Sequence, residues 1–218
     1  MKKLVQGIID FREKVSLEYK EKFARLALGQ SPDALFVTCS DSRVAPNLFA
    51  STDPGDLLVL RNLGNLIPPC CEVLGHSNGC ESAPAAIEFA VLNLNVSSII
   101  ICGHSECGAM QSIIQNFNNV NSPHLLKWLQ HGVPALSKLK TVTDSKLSPH
   151  NILSQLNVLE QIEHLKTYSI ISERLSSGKL KLYGWWFDIA NTEVLSFNSE
   201  KNKFVPFDSA EGKRILEN

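Results

Sequence analysis

The chain contains no run approaching the roughly twenty apolar residues that a membrane-spanning helix needs. It also carries no excess of charge, since 21 Lys and Arg stand against 22 Asp and Glu. The first absence argues against a helical membrane protein, and the second leaves no global field to attract nucleic acid or anionic lipid. No repeat, low-complexity tract or Gly/Ser-rich linker divides the sequence. Its 218 residues, 44% hydrophobic and 20% charged, are therefore expected to bury one sizeable core in a single domain over 1–218. The start, MKKLVQGIIDFREKV, is basic, but its apolar stretch is short, runs into Asp10 and Arg12, and lacks a small-residue cleavage site. A cytoplasmic location is the expectation. The six cysteines (39, 70, 71, 80, 102 and 107) are too unevenly spaced for a disulfide framework in a chain of this size, and they point to reduced thiols or a metal.

What the chain does contain is a series of short apolar runs separated by helical patterns. ALFVTC (34–39), DLLVLRN (56–62), SSIIICG (97–103) and KLKLYGWWFD (179–188) are dense in apolar residues without alternation, as strands covered on both faces are. EVLSFNSE (193–200) alternates and reads as a hairpin partner at an edge. FNSEKNKFVPF is expected to extend that edge and cover it with Phe204 and Phe207. SAPAAIEFAVLNLNV predicts a helix with Ser82 as its N-cap and a proline in its first turn. A second long helical pattern runs from Ser148 to Gly178 through Ile152, Leu153, Leu156, Leu159, Ile162, Leu165 and Ile170. Alternating strands and helices predict an α/β fold with a parallel four-stranded sheet and an additional edge strand, flanked by helices; the order is taken as 2-1-3-4, which would set the first and third strands side by side at the switch point. The first thirty residues carry Val5, Ile8, Ile9, Phe11, Val15, Phe23 and Leu26 too scattered for a core of their own. They read as an N-terminal helical arm (1–30) lying on something else, with 31–218 as the α/β core.

In such a sheet ligands gather at the carboxyl ends of strands, where strand order reverses. Cys39 closes the first strand, and CGHSECGAM follows the third, with His104 and Cys107 in its turn. Singly, a cysteine is more often a small buried hydrophobe than a ligand, and a lone histidine usually satisfies a local hydrogen bond. At two adjacent strand ends, however, two thiolates and an imidazole make a zinc site with a fourth position left for water. Asp41 and Arg43, which elsewhere would be a surface ion pair worth about 0–1 kcal/mol, acquire a use beside it. Two thiolates nearly neutralise the metal, so its water should be less acidic than in an all-histidine site, where the pKa is about 7. Ionised Asp41 can only accept hydrogen bonds. By taking the proton of a zinc-bound hydroxide it aims the lone pairs at substrate, while Arg43 holds it through a bidentate pair that lysine cannot reproduce. A small rotation would make Asp41 a fourth zinc ligand and close the site, a state favoured at lower pH.

CSDSR followed by GHSECG resembles the β-class carbonic anhydrases, and PGDLLVLRNLGNLIPP, AAIEFAVLNLNV and LKLYGWWFDI continue the likeness in the family's order over most of the chain. The resemblance implies one zinc per subunit on Cys39, His104 and Cys107, the Asp41–Arg43 dyad, and reversible hydration of carbon dioxide to bicarbonate and a proton. It also implies dimers with swapped N-terminal arms, often built into tetramers. Gln30 matches a glutamine that in plant-type members reaches the pocket and bonds substrate. Phe36 stands where bicarbonate-inhibited bacterial members have tryptophan, although Arg61 matches the arginine of that inhibitory site, so no strong bicarbonate inhibition is expected. Phe89 replaces a tyrosine of plant members, and Gly64 a more usual alanine. The carbon dioxide pocket is expected to include Leu58 and Leu63 beside Gln30. No proton shuttle identifies itself among His76, His124, His131, His150 and His164. Cys70, Cys71, His76 and Cys80 read as a loop of reduced thiols in preference to a second metal site. Two other functions compete: hydrolysis of carbon disulfide or carbonyl sulfide on the same fold, and a non-catalytic zinc-thiolate protein, which would have no need of the dyad.

Overall fold

The structure, a computed structural model, describes residues 1–71, 76–77, 80–142 and 146–217. Six strands form the main sheet: β1 (Ala34–Cys39), β2 (Leu57–Asn62), β3 (Ser98–His104), β4 (Lys181–Asp188), β5 (Glu193–Asn198) and β6 (Lys203–Pro206). Their order is β2-β1-β3-β4-β5-β6. The first four run parallel, in the order expected, and β5 and β6 are added antiparallel. One extra edge strand was expected, and there are two: the 193–200 run pairs with β4, and Lys203–Pro206 turns back to pair with it. Every residue of β1 is buried, which explains its unbroken apolar run.

A layer of helices covers one face of the sheet, and the chain's last helix lies against the other through Ser196 and Asn198. The long helix of the 148–178 pattern opens at Ser148 with Pro149 at its first position and is broken in two. For the labels that follow, α1 is Lys2–Asp10, α2 Ser16–Leu26, α3 Ser82–Glu88, α4 Gly108–Ile114, α5 Pro149–Lys166, α6 Ser169–Ser176 and α7 Ser209–Glu217. Tyr168 separates α5 from α6 in an extended conformation. Its hydroxyl donates to the Pro68 carbonyl at 2.6 Å, a tertiary bond that an unbroken helix would forgo. At α3 the cap is Glu81, with Ser82 the first helical residue, and no side chain caps the end. Helix α5 lies tight on β3 and β4, for a Cβ on Gly103 would stand 2.8 Å from Val158 Cγ2 and one on Gly184 3.0 Å from Val158 Cγ1. The core between them includes Leu35, Val37, Ile99, Ile101, Val158 and Leu165.

On the other face Phe36 meets Phe49 and Trp185, and Phe49 stacks on Phe187 at 4.8 Å. Helices α1 and α2 join through one wide turn, Phe11–Val15, and none of the three buries a residue. Among the described residues no helix is long and apolar enough to cross a membrane.

Candidate active site

The site begins where β1 and β3 end side by side. Thr38 is in register with Cys102, so Cys39 and His104 emerge from neighbouring strands at the same edge. After His104 the chain must turn into α4. Ser105 N–H donates to the Phe187 carbonyl, Ser105 Oγ accepts from Ile189 N–H, and Glu106 takes the left-handed conformation at φ 56. That turn brings Cys107 to the start of α4. The Sγ atoms of Cys39 and Cys107 and a ring nitrogen of His104 lie within 4.8 Å of one another, all three residues buried.

His104 Nδ1 lies 2.8 Å from the Ser105 carbonyl, a partner that can only accept, so Nδ1 carries the proton and Nε2 is bare. That buried Nε2 has no hydrogen-bond partner among the described residues. Cys39 Sγ accepts from the Gly64 N–H at 3.3 Å. The Cys39 thiol is pulled well below its ordinary range, chiefly by a hydrogen bond from Cys107 and further by the Gly64 N–H, against the cost of burial. Cys107 is pushed up correspondingly, by sharing its proton with Cys39 and by burial. Gly64 itself sits at φ 80, where a Cβ would come within 3.0 Å of Ala109 Cβ. A bare buried imidazole nitrogen beside two thiols, one already acidic, is a donor set suited to a soft or borderline dication such as zinc.

Asp41 and Arg43 stand at the rim. Arg43 donates Nε to Asp41 Oδ1 at 2.9 Å, Nη2 to Oδ2 at 2.7 Å, and its backbone N–H to Oδ1 at 3.0 Å. These bonds hold the Asp41 carboxyl well below the usual carboxylate range. Arg43 Nη2 also reaches the Glu106 carbonyl at 3.0 Å. Arg61 clasps the backbone between them, donating to the carbonyls of Cys39 and Asp41.

The other sequence-predicted residues fall further out. Leu63, half exposed, adjoins Gly64, and its carbonyl accepts from Trp128 Nε1. Leu58 stands in register with Leu35, short of the strand end, and packs against the main core. Gln30 is exposed at the end of the arm, in a shallow depression with Phe23, Leu26 and Pro54, apart from the cluster of its own chain. Phe36 is wholly buried among aromatic rings, and Phe89 is exposed. His150 bonds Glu106, His164 bonds the Ile67 carbonyl, and His131 lies edge-on to Trp128. Cys70 and Cys71 form a two-residue bridge with His76 and Ser77; the side chain of His76 and residues 72–75 and 78–79 lie outside the described residues. A cavity of about 670 Å³ touches Arg43 but is otherwise walled by Phe49, Trp185, Phe187 and Phe207, with none of the three clustered residues in its lining.

Sequence reasoning missed a buried polar stripe on α5. Asn151 accepts from the Glu106 N–H, Ser154 Oγ donates to the His104 carbonyl, and Asn157 Nδ2 donates to the Gly64 carbonyl. Gln161 accepts from the Ile67 N–H, and His164 holds the Ile67 carbonyl. Each group fixes the backbone of a segment that carries or borders the site. The spacing 151, 154, 157, 161 and 164 is helical and was the available signal, but a search for apolar periodicity passes over it.

The Carbonic anhydrase family signature matches residues 34–194. A carbonic anhydrase of Synechococcus elongatus is 41% identical over 202 residues, covering 91% of this chain and 72% of its own. Among solved structures, the β-carbonic anhydrase CcaA superposes with a TM-score of 0.85 at 36% identity, covering 96% of this chain and 92% of that one. One of two tetrameric β-carbonic anhydrases from Sordaria macrospora superposes at 0.76 with 27% identity, covering 90% and 96%.

Proposed function

The chain belongs to the β class of the carbonic anhydrase family, and from that premise we propose that Cys39, His104 and Cys107 hold one zinc ion per chain, beside which Asp41 and Arg43 direct the hydration of carbon dioxide. The observation that carries this reading is the bare, buried and unpartnered Nε2 of His104 beside two thiols. When bound, zinc would supply a Lewis acid that acidifies water into a nucleophile. The work of this chain is to orient. Asp41, kept ionised by Arg43, is an obligate acceptor and takes a hydrogen bond from the nucleophile's O–H, so that a lone pair faces the carbon of the substrate. Water adds to carbon dioxide, one C–O bond forms, and the products are bicarbonate and a proton released to buffer. Leu63, on the exposed side of the Gly64 turn, supplies an apolar wall for the substrate. Because Asp41 is committed to three Arg43 donors, its carboxylate would not serve as a further ligand, which weighs against a purely structural zinc.

We further propose that the protein self-associates through its arm, whose apolar side chains find no cover in their own chain. The test of the site is stopped-flow hydration of carbon dioxide paired with metal analysis. Wild type should turn over rapidly with one zinc per chain, and Cys107→Ala should purify without zinc and without activity. Stoichiometric zinc in that variant would remove Cys107 from the ligand set.

A further inference from the structure

Glu106 is a non-glycine residue at φ 56, in the left-handed region that such residues seldom occupy unless the surroundings hold them there. What holds it is Asn151, the third residue of α5. Asn151 Oδ1 accepts from the Glu106 N–H at 2.7 Å, and Asn151 Nδ2 donates to Glu106 Oε1 at 3.0 Å. The other carboxylate oxygen, Oε2, lies 3.0 Å from His150 Nε2 and 3.4 Å from Gln111 Nε2. Held in this way, Glu106 turns its carbonyl to Arg43 Nη2, the atom that also donates to Asp41 Oδ2.

The two ends of this chain of bonds differ in rigidity. Arg43 is half exposed, its side chain at 48% of full accessibility. Asn151 is buried, on a helix bolted to the sheet through Ser154 and Trp186. We infer that Asn151 is a positioning residue for the Asp41–Arg43 pair, acting through the backbone of Glu106. Its effect on turnover depends on Asp41 and Arg43 working as proposed above, whereas its effect on the position of Arg43 does not.

The experiment compares zinc-loaded wild type, Asn151→Ala and the double variant Asn151→Ala/Glu106→Gly. Glycine enters the left-handed region without an anchor, so it should restore the turn that the first substitution loosens. Asn151→Ala is expected to keep one zinc per chain while kcat/KM for hydration falls roughly tenfold. The NMR signal of the Arg43 Nε–H, identified by its loss in Arg43→Lys, should move toward that of a solvated guanidinium. The double variant should bring the signal back and recover about threefold in kcat/KM. An unmoved Arg43 signal in Asn151→Ala, or a double variant that restores neither signal nor rate, overturns the assignment. Should Asn151→Ala unfold, Asn151→Asp keeps the volume and the acceptor but sets a second carboxylate against Glu106. It is expected to shift the same signal, and no shift there overturns the assignment equally. Asp41→Asn, measured alongside, separates the two ideas: full activity in it refutes the catalytic pair, and the Arg43 signal then still decides the role of Asn151.

Discussion

At the scale of single residues, the site depends on close approach as much as on polar contacts. Gly103 lies directly before His104, and a Cβ there would meet Val158 Cγ2 at 2.8 Å and the Ser154 carbonyl at 3.2 Å. Gly103→Ala is therefore expected to push α5 off β3 and to cost about 1–3 kcal/mol in denaturant unfolding. Val158→Ala in the same chain should recover part of that loss, because the shortest of the three close contacts is with the Val158 side chain. A second prediction concerns Asp41→Asn. The amide carries no charge for Arg43 to hold, so this variant should retain zinc by metal analysis yet lose at least about a hundredfold in kcat/KM for hydration. The residues expected to carry the chemistry were legible because CSDSR and GHSECG are local motifs, each compact enough to read without the fold. Glu106 was not, although it sits inside the second motif, because its conformation is set by Asn151 on another element. The place of Leu58 was not legible for a related reason: nearness to a strand end in sequence does not say which residue of the strand reaches the end.

At the scale of elements, the parallel strands followed from apolar density and alternation with helices, but the attachment of the chain's last helix did not. Helix α7 is latched by one buried carboxylate. Glu211 accepts from Ser196 Oγ at 2.6 Å and Asn198 Nδ2 at 3.0 Å on β5, and from Arg214 Nη2 at 2.6 Å on its own helix. The Arg214 bonds, with those of Ser196 and Asn198 after them, bring the Glu211 carboxyl down to about 2. A carboxyl lowered by folding stabilises the native state above its unfolded pKa of about 4.3, and that contribution fades as pH falls toward the folded value. Glu211→Ala leaves buried donors unpaired and should cost about 3 kcal/mol at pH 7. Plotted against pH, wild-type stability should fall between about pH 4.5 and 2 more steeply than that of Glu211→Gln. Parallel slopes in guanidinium titrations over that range would show that Glu211 is not the group responsible. Nothing in the local sequence SAEGKRILE distinguishes this helix from a loose tail, because the partners that tie Glu211 to the sheet, Ser196 and Asn198, lie on β5. The break between α5 and α6 was hidden in the same way, since it depends on the Tyr168 hydroxyl reaching Pro68.

At the scale of the whole molecule, the arm is the feature a single chain does not account for. Leu4, Ile8 and Leu17 are 66%, 70% and 73% exposed, and Val5, Ile9, Phe11 and Val15 are also open to solvent. Each such side chain forgoes about 1.5–3 kcal/mol of burial free energy by remaining in water. An isolated pair of helices of this length, with no buried residue, is marginal on its own. The sheet face away from α5 is incompletely covered as well, with a depression of about 420 Å³ lined by Ala34, Leu57, Ile100, Tyr183 and Trp185. Apolar arms without a core and an apolar sheet face without a full cover are complementary deficits, and the self-association proposed above would answer both. The sequence already implied this much, because seven apolar residues scattered through a polar stretch cannot make a core. Which surface receives the arm was not legible, since it belongs to no single chain. Ile8→Asp combined with Phe11→Asp should leave the α/β core folded by circular dichroism while light scattering on the eluting peak reports a drop from a dimer or larger species to the monomer mass. An unchanged mass in that double variant would mean that the arm is a passenger, and that the chain assembles, if it does, through the sheet face alone.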